Sequence, residues 1–300
     1  MILNVLEHLE TAEEVEKALN SLPLTYDACY DYTLRQIEMK DTIQRDLAFA
    51  VLAWLSHALG GLTAKALQEA LSVQAGDEKV DEKKLIPLDD LISACNGLVV
   101  TDTINGIQNI RLLHETASRY LKNIRSACLP LGHEIILKAC LAYLSLPEFL
   151  EQRVFRMRIN ERAAQHPFYE YAATYWSNHA VQGNLEFTFR DSIVNFLESD
   201  QRHSIDEFLS SGRPSAWGCD KGSPWIDWNK LSINRSDTPL HAAAAYGLRM
   251  TVQHLLKKKG YEKDRRNNFG EIALHRAAQA GRTGTMEELI AHGADLMAKV

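Results

Sequence analysis

Apolar residues recur at helical spacing through the first hundred positions, and small polar residues mark where the runs begin. Thr11 with Glu14 forms a capping box that predicts a short helix through about Leu19, and Leu22-Pro23 punctuates it. Tyr26, Tyr30, Leu34 and Ile37 share one face of a second helix. Leu47, Val51, Leu52 and Leu55 share one face of a third, which Gly60-Gly61 closes. Thr63 is placed to cap a helix from Ala64 to Leu71, and after a charged loop from Asp77 to Lys84 another runs from Leu88 to Cys95 and stops at Asn96-Gly97. There the period changes. Leu98 to Asp102 and Ile107 to Leu113 are β-favouring runs joined by a turn containing Asn105-Gly106, a hairpin signal. Helices followed by a two-stranded wing predict a winged helix.

From residue 114 to residue 210 the pattern is helical again. Apolar faces lie at Ile135, Ile136, Ala139, Tyr143 and Leu144, then at Phe168, Tyr171, Ala172, Tyr175 and Trp176, and Ser204 with Glu207 offers a further capping box. Residues 211–236 are rich in Gly, Pro, Ser and Trp, which reads as a linker or a degenerate repeat. Beyond them the chain repeats itself. Thr238-Pro239-Leu240-His241-Ala242-Ala243 is answered 34 residues later by Ile272-Ala273-Leu274-His275-Arg276-Ala277, and the same offset relates Gly247 to Gly281, Val252 to Met286 and Leu255-Leu256 to Leu289-Ile290. Gly260 and Gly293 are 33 apart, so the first unit holds one extra residue, in Lys257-Lys258-Lys259. Thr238 can cap a helix through its hydroxyl, and Pro239 suits the first helical position, where no N–H is needed. Ile272 and Ala273 replace that pair in the second unit, which predicts a weaker cap. The pattern resembles the ankyrin repeat, which implies helix pairs with projecting hairpin loops. Leu289, Ile290 and Leu296 are then expected bare on the face after the second unit, and the array is expected to continue past Val300.

The predicted fold class is therefore mainly α: a winged helix with a small β-hairpin, a helical linker, then an ankyrin-repeat solenoid. The expected boundaries are an N-terminal helix over 1–21, the winged helix over 22–125, the helical linker over 126–210, a linker or degenerate repeat over 211–236, and repeats over 237–300.

Composition narrows the function. Hydrophobic residues make up 46% of 300 residues and charged ones 24%, ordinary for a globular chain, and no apolar run approaches the roughly 18 to 20 residues that span a bilayer. The acidic N-terminus, with Glu7, Glu10, Glu13 and Glu14, is unlike a secretory signal. The five cysteines (Cys29, Cys95, Cys128, Cys140, Cys219) are scattered without a CxxC pair, which argues against a zinc site or a disulfide framework and fits an intracellular, cytoplasmic location. A net charge of −6 favours protein partners over nucleic acid. From Leu85 to Ile110 there is no Lys or Arg, while Asp89, Asp90 and Asp102 are present, so the wing lacks the charge that DNA recognition needs.

Residues 22–121 resemble the winged-helix segment that follows the NACHT nucleotide-binding domain in fungal NACHT–ankyrin (STAND-type) proteins, also described as a GPI inositol-deacylase-type winged helix. The resemblance is carried by Leu22-Pro23 with Tyr26 and Tyr30, by Ala50-Val51-Leu52-Ala53-Trp54-Leu55, by Leu62-Thr63, by Cys95-Asn96-Gly97-Leu98-Val99, and by Leu113-His114-Glu115 with Tyr120-Leu121. Phe168 to Trp176 with His179-Ala180 is similar to the helical stretch those proteins carry before their repeats. The resemblance implies a signalling switch whose nucleotide domain lies upstream. This chain holds no GxxxxGK[ST] loop, so no nucleotide cofactor is expected on it alone. It further implies that His114, which stands where related switches have a Met-His-Asp motif, contacts the phosphate of bound ADP when such a domain is present. Leu113 and Glu115 depart from that motif.

No catalytic or metal residues are expected: His114-Glu115 and His133-Glu134 lack the second histidine of HExxH, and no GxSxG occurs. His241 and His275 are read as backbone-bonding, the Tyr171, Tyr175, Trp176 stripe as core, and Lys257 to Lys259 as a solvated helix end. Partner proteins are expected on the repeat loops, at Asn234, Arg235, Ser236 and Asp237 and at Asn267, Asn268, Phe269 and Gly270, and along the first helix of each repeat.

Overall fold

Threonine and aspartate side chains cap several of the helices. The computed structural model describes residues 11, 25–104, 106–123, 132–149, 165–203, 205 and 236–300. The expected helix before Leu19 and the Ser204–Glu207 box lie outside them. The chain divides into two compact units, residues 1–72 with 81–135 and residues 73–80 with 136–300.

In the first unit, α1 (Tyr26–Glu38) starts on Thr25, whose hydroxyl accepts from the Ala28 amide. Asp41 caps α2 (Thr42–His57) by accepting from Ile43 and Gln44. Thr63 caps α3 (Ala64–Ser72), its hydroxyl taking the Ala66 amide at 3.0 Å. α4 (Leu88–Ala94) ends at Asn96 and Gly97, with φ of 47° and 78°, and Lys40 Nζ donates to its terminal carbonyls of Ser93 and Ala94. The wing is β2 (Val99–Ile104) paired antiparallel with β3 (Ile107–Leu112).

A short strand β1 (Leu62–Thr63) joins the far edge of β3, giving the order β1-β3-β2. The sequence reading lacks it, because two residues carry no readable period. α5 (Glu115–Asn123) returns over α1 and α2, with Tyr30 and Tyr120 rings 5.0 Å apart. The core holds Trp54, Leu52, Ile37, Leu67 and Leu91. Burial pushes the Cys95 thiol up to about 12, so it stays protonated. His57 and His133 stack edge to face at 5.2 Å, and burial, with the charges of His57 and Lys122, pushes His133 down to about 4.

Among its described residues the second unit has helices and no strand. α6 spans Gly132–Leu144, and from Ile136 onward it belongs here. α7 (Pro167–Gln182) carries the apolar face expected of it but is buried almost all round, from Phe168 to Ala173 and from Tyr175 to Ala180. It therefore acts as a central helix rather than a spacer. Trp176 lies edge to face against Phe196 of α8 (Arg190–Glu198) and against Tyr246 of α9 (Pro239–Tyr246), both at 5.1 Å. The helices read as a linker thus pack directly on the repeats. The first repeat is α9 with α10 (Arg249–Lys257), and the second is α11 (Ala273–Gln279) with α12 (Thr283–Ala291).

Each repeat turns between its helices through one bond pattern: Leu248 N donates to Ala243 O, and Arg282 N to Ala277 O. Leu185 N donates to Ala180 O in the same way between α7 and α8, with Asn184 at φ 52° where the repeats have Gly247 and Gly281. A helix pair built like the repeats therefore lies against their first member. On the last helix, Leu289 is fully buried and so leaves the set expected bare, because it faces inward onto the helices of its own stack. Ile290 and Leu296 are exposed. Lys257 to Lys259 are exposed, and Lys258 pairs with Glu198 at 2.8 Å.

Candidate protein-interaction surface

The loop between the repeats is built by a buried polar network. Arg276, on α11, is 1% exposed and meets Asp237 at 3.1 Å and Glu271 at 3.8 Å. Asn267 donates to Asp237 Oδ1 at 2.7 Å and to Glu271 Oε2 at 3.1 Å, while its own Oδ1 accepts from the Phe269 and Glu271 amides. That uses the amide group's donors and acceptors in full. Gly270 turns the chain at φ 78°, and Arg266 donates to its carbonyl and to that of Lys299.

The histidines hold neighbouring loops together. His241 accepts from the Thr238 amide at Nδ1 and donates from Nε2 to Glu271 O at 3.0 Å, and His275 does the same between Ile272 and Ala298. Burial holds His241 below the ordinary histidine value. Thr238 and His241 complete a reciprocal cap, whereas Ile272 has no side-chain acceptor to offer and buries its side chain instead.

The expected site residues therefore separate. Asn234 and Arg235 lie outside the described residues. Asp237 and Asn267 are buried and committed to the network, and the half-buried Ser236 accepts from the Asn268 amide at 2.8 Å. Asn268 and Phe269 face solvent, Phe269 with 54% of its surface exposed. The side chains of α9 are buried from Leu240 to Tyr246, so the first helix of the first repeat presents no face to a partner.

Residues 205–300 match ankyrin repeats. The matching family model describes three copies, and its span takes in the Gly- and Pro-rich residues 211–236. Residues 36–128 match the winged helix domain of GPI inositol-deacylase. A search of curated proteins finds no match. The ankyrin repeats were readable from their 34-residue offset; Arg276 was not, because a charged residue inside a helix reads as solvated until its partners are placed around it.

In the winged-helix unit His114 is exposed at the junction of wing and α5. Its Nδ1 accepts from the Thr116 amide at 3.1 Å and faces the Thr116 hydroxyl at 2.8 Å, so it caps α5 and carries its proton on Nε2. Among the described residues no three metal-ligating side chains come together, and no helix is long and apolar enough to cross a membrane.

Proposed function

We propose that the chain is a non-catalytic protein-interaction module of a NACHT-type signalling protein, binding its partner through the ankyrin loops. The observation that carries this reading is the loop Asn267–Gly270. Its backbone is fixed from below by Asp237, Arg276 and Glu271, while Phe269 is presented to solvent. An aromatic side chain held on a rigid loop loses little entropy on binding, which is what an interface anchor needs. The acidic face of α4 and the pairing of Arg111 with Asp102 at 2.7 Å favour a protein partner over DNA. The test is photo-crosslinking from position 269 against position 32 of α1. Specific adducts from 269 alone support the reading, and equal labelling from both positions overturns it.

A second reading makes the winged helix the regulatory half of an ATP/ADP-driven switch, favoured by the exposed His114 Nε2–H, which could donate to a phosphate oxygen. The chain alone should neither bind nor hydrolyse ATP. In a polypeptide where a nucleotide-binding domain precedes it, His114→Ala should weaken ADP retention. Unchanged retention with lowered thermal stability would leave His114 as a helix cap.

A further inference from the structure

On the side of the repeats opposite in sequence to the loops, the short turns between helices line a groove of about 630 Å3. Three side chains exposed on its walls are large and apolar: Val181 of α7, Phe187 from the α7–α8 turn, and Met250 of α10. Such residues in one groove form a contact surface rather than a solvated face. Its floor holds the first turns of α10 and α12, which are related by the 34-residue offset.

These two helix starts differ in one respect. At α10 the buried Glu186 carboxylate accepts from the Thr251 amide and hydroxyl, both at 2.9 Å. At α12 the matching residue is Thr285, whose hydroxyl donates to Ala244 O instead, and among the described residues no side chain caps the helix. Arg282 stands beside it. The arginine crosses Gly247, where an added Cβ would lie 3.0 Å from its Cδ, and its Nη2 is buried with no hydrogen-bond partner among the described residues. Arg249, the other cation of the groove, is already met by Glu288 at 3.3 Å and Glu287 at 3.9 Å. Arg282 Nε donates to Ala245 O at 3.4 Å, and no carboxylate pairs with the guanidinium among the described residues, so its charge stands unbalanced next to the first amides of α12.

We propose that this groove docks a segment of a partner protein that carries a carboxylate beside an apolar side chain. The carboxylate takes at α12 and Arg282 the place Glu186 takes at α10, and the apolar side chain lies against Phe187 and Met250. This rests on the reading of the repeats as protein-binding, and assigns them a second face apart from the loops. The test titrates the isotopically labelled full chain with the acetylated and amidated peptide Gly-Leu-Glu-Gly, and with its Gln twin, following backbone amide shifts.

The Glu peptide should shift Gly284 and Thr285 with a Kd of millimolar order, and the Gln peptide should bind about tenfold more weakly. Thr283→Asp puts a carboxylate at the exposed start of α12, which favours the helix while filling the site, so it should abolish the shifts and keep the fold. Phe187→Ala, at an exposed position, should weaken both peptides alike. Equal binding of the two peptides, no shift at Gly284 and Thr285 at millimolar concentration, or an undiminished response in Thr283→Asp would each overturn the proposal. Shifts confined to Asn268 and Phe269 would remove the groove while leaving the repeats as a protein-binding surface.

Discussion

The two ankyrin repeats share a backbone and differ in how their polar groups are satisfied. In the first, Thr238 and His241 cap α9 reciprocally, and Glu186 fills the start of α10. In the second, Ile272 leaves half of that cap unmade, and among the described residues no side chain caps the start of α12. The first repeat is thus closed by its own residues and by the α7–α8 pair, while the second keeps open positions on both its loop side and its turn side. Polar groups that the fold does not use internally are the ones left for a partner.

The sharpest way to break that difference is at the network both repeats share. Arg276→Ala leaves Asp237 buried without its charged partner, keeping only the Asn267 hydrogen bond, and breaking a buried pair on one side costs about 3–5 kcal/mol. Denaturant unfolding should show the loss in the second unit, and a loss under 1 kcal/mol would mean water replaces the guanidinium.

The glycines separate the repeats next. Gly247 and Gly281 both sit at positive φ, which costs an alanine about 1–2 kcal/mol. At Gly247 the new Cβ also meets Arg282 at 3.0 Å, whereas at Gly281 nothing lies within 4 Å. Gly247→Ala should therefore lower the melting temperature more than Gly281→Ala, and equal shifts would show that Arg282 moves aside freely.

The cap comes third: Thr238→Val keeps the shape and removes the acceptor, at a cost of about 1 kcal/mol. Ile272→Val, in the second repeat, should cost a similar amount for another reason, since it removes one buried methylene. Combining each with a His→Gln change three residues on separates the causes. The Thr238 and His241 effects should be non-additive, and those of Ile272 and His275 additive.

The smallest effect is on pH dependence. Burial lowers the folded pKa of His241, so the first repeat is stabilised by the neutral ring. That stability is fully present above the unfolded value of about 6.5 and is lost as pH falls through the lower folded value. His133, held down to about 4, acts in the same direction in the first unit. Imidazole titration by NMR should place both below free histidine, and a His241 value above it would contradict the buried neutral ring.

What could be read from the sequence was what repeats or alternates. The 34-residue offset, the wing signalled by Asn105-Gly106 and the caps at Thr63 and Thr238 all depend on residues close together in the chain. What could not be read depends on residues distant in sequence. The strand Leu62–Thr63 exists only by pairing with β3, and α7 is central only because α8 and α9 cover it. The candidate surface divided along the same line. Asn267 and Asp237 look like loop residues in sequence, but their 2.7 Å hydrogen bond and burial make them the loop's support, leaving Asn268 and Phe269 as its face.

The most direct test of the protein-binding account uses the partner identified by crosslinking at position 269, purified, and measures its affinity for the full chain and for Phe269→Ala. The account predicts at least about a tenfold loss of affinity, as for an exposed aromatic anchor, with an unchanged melting temperature. Unchanged affinity for the variant would contradict it.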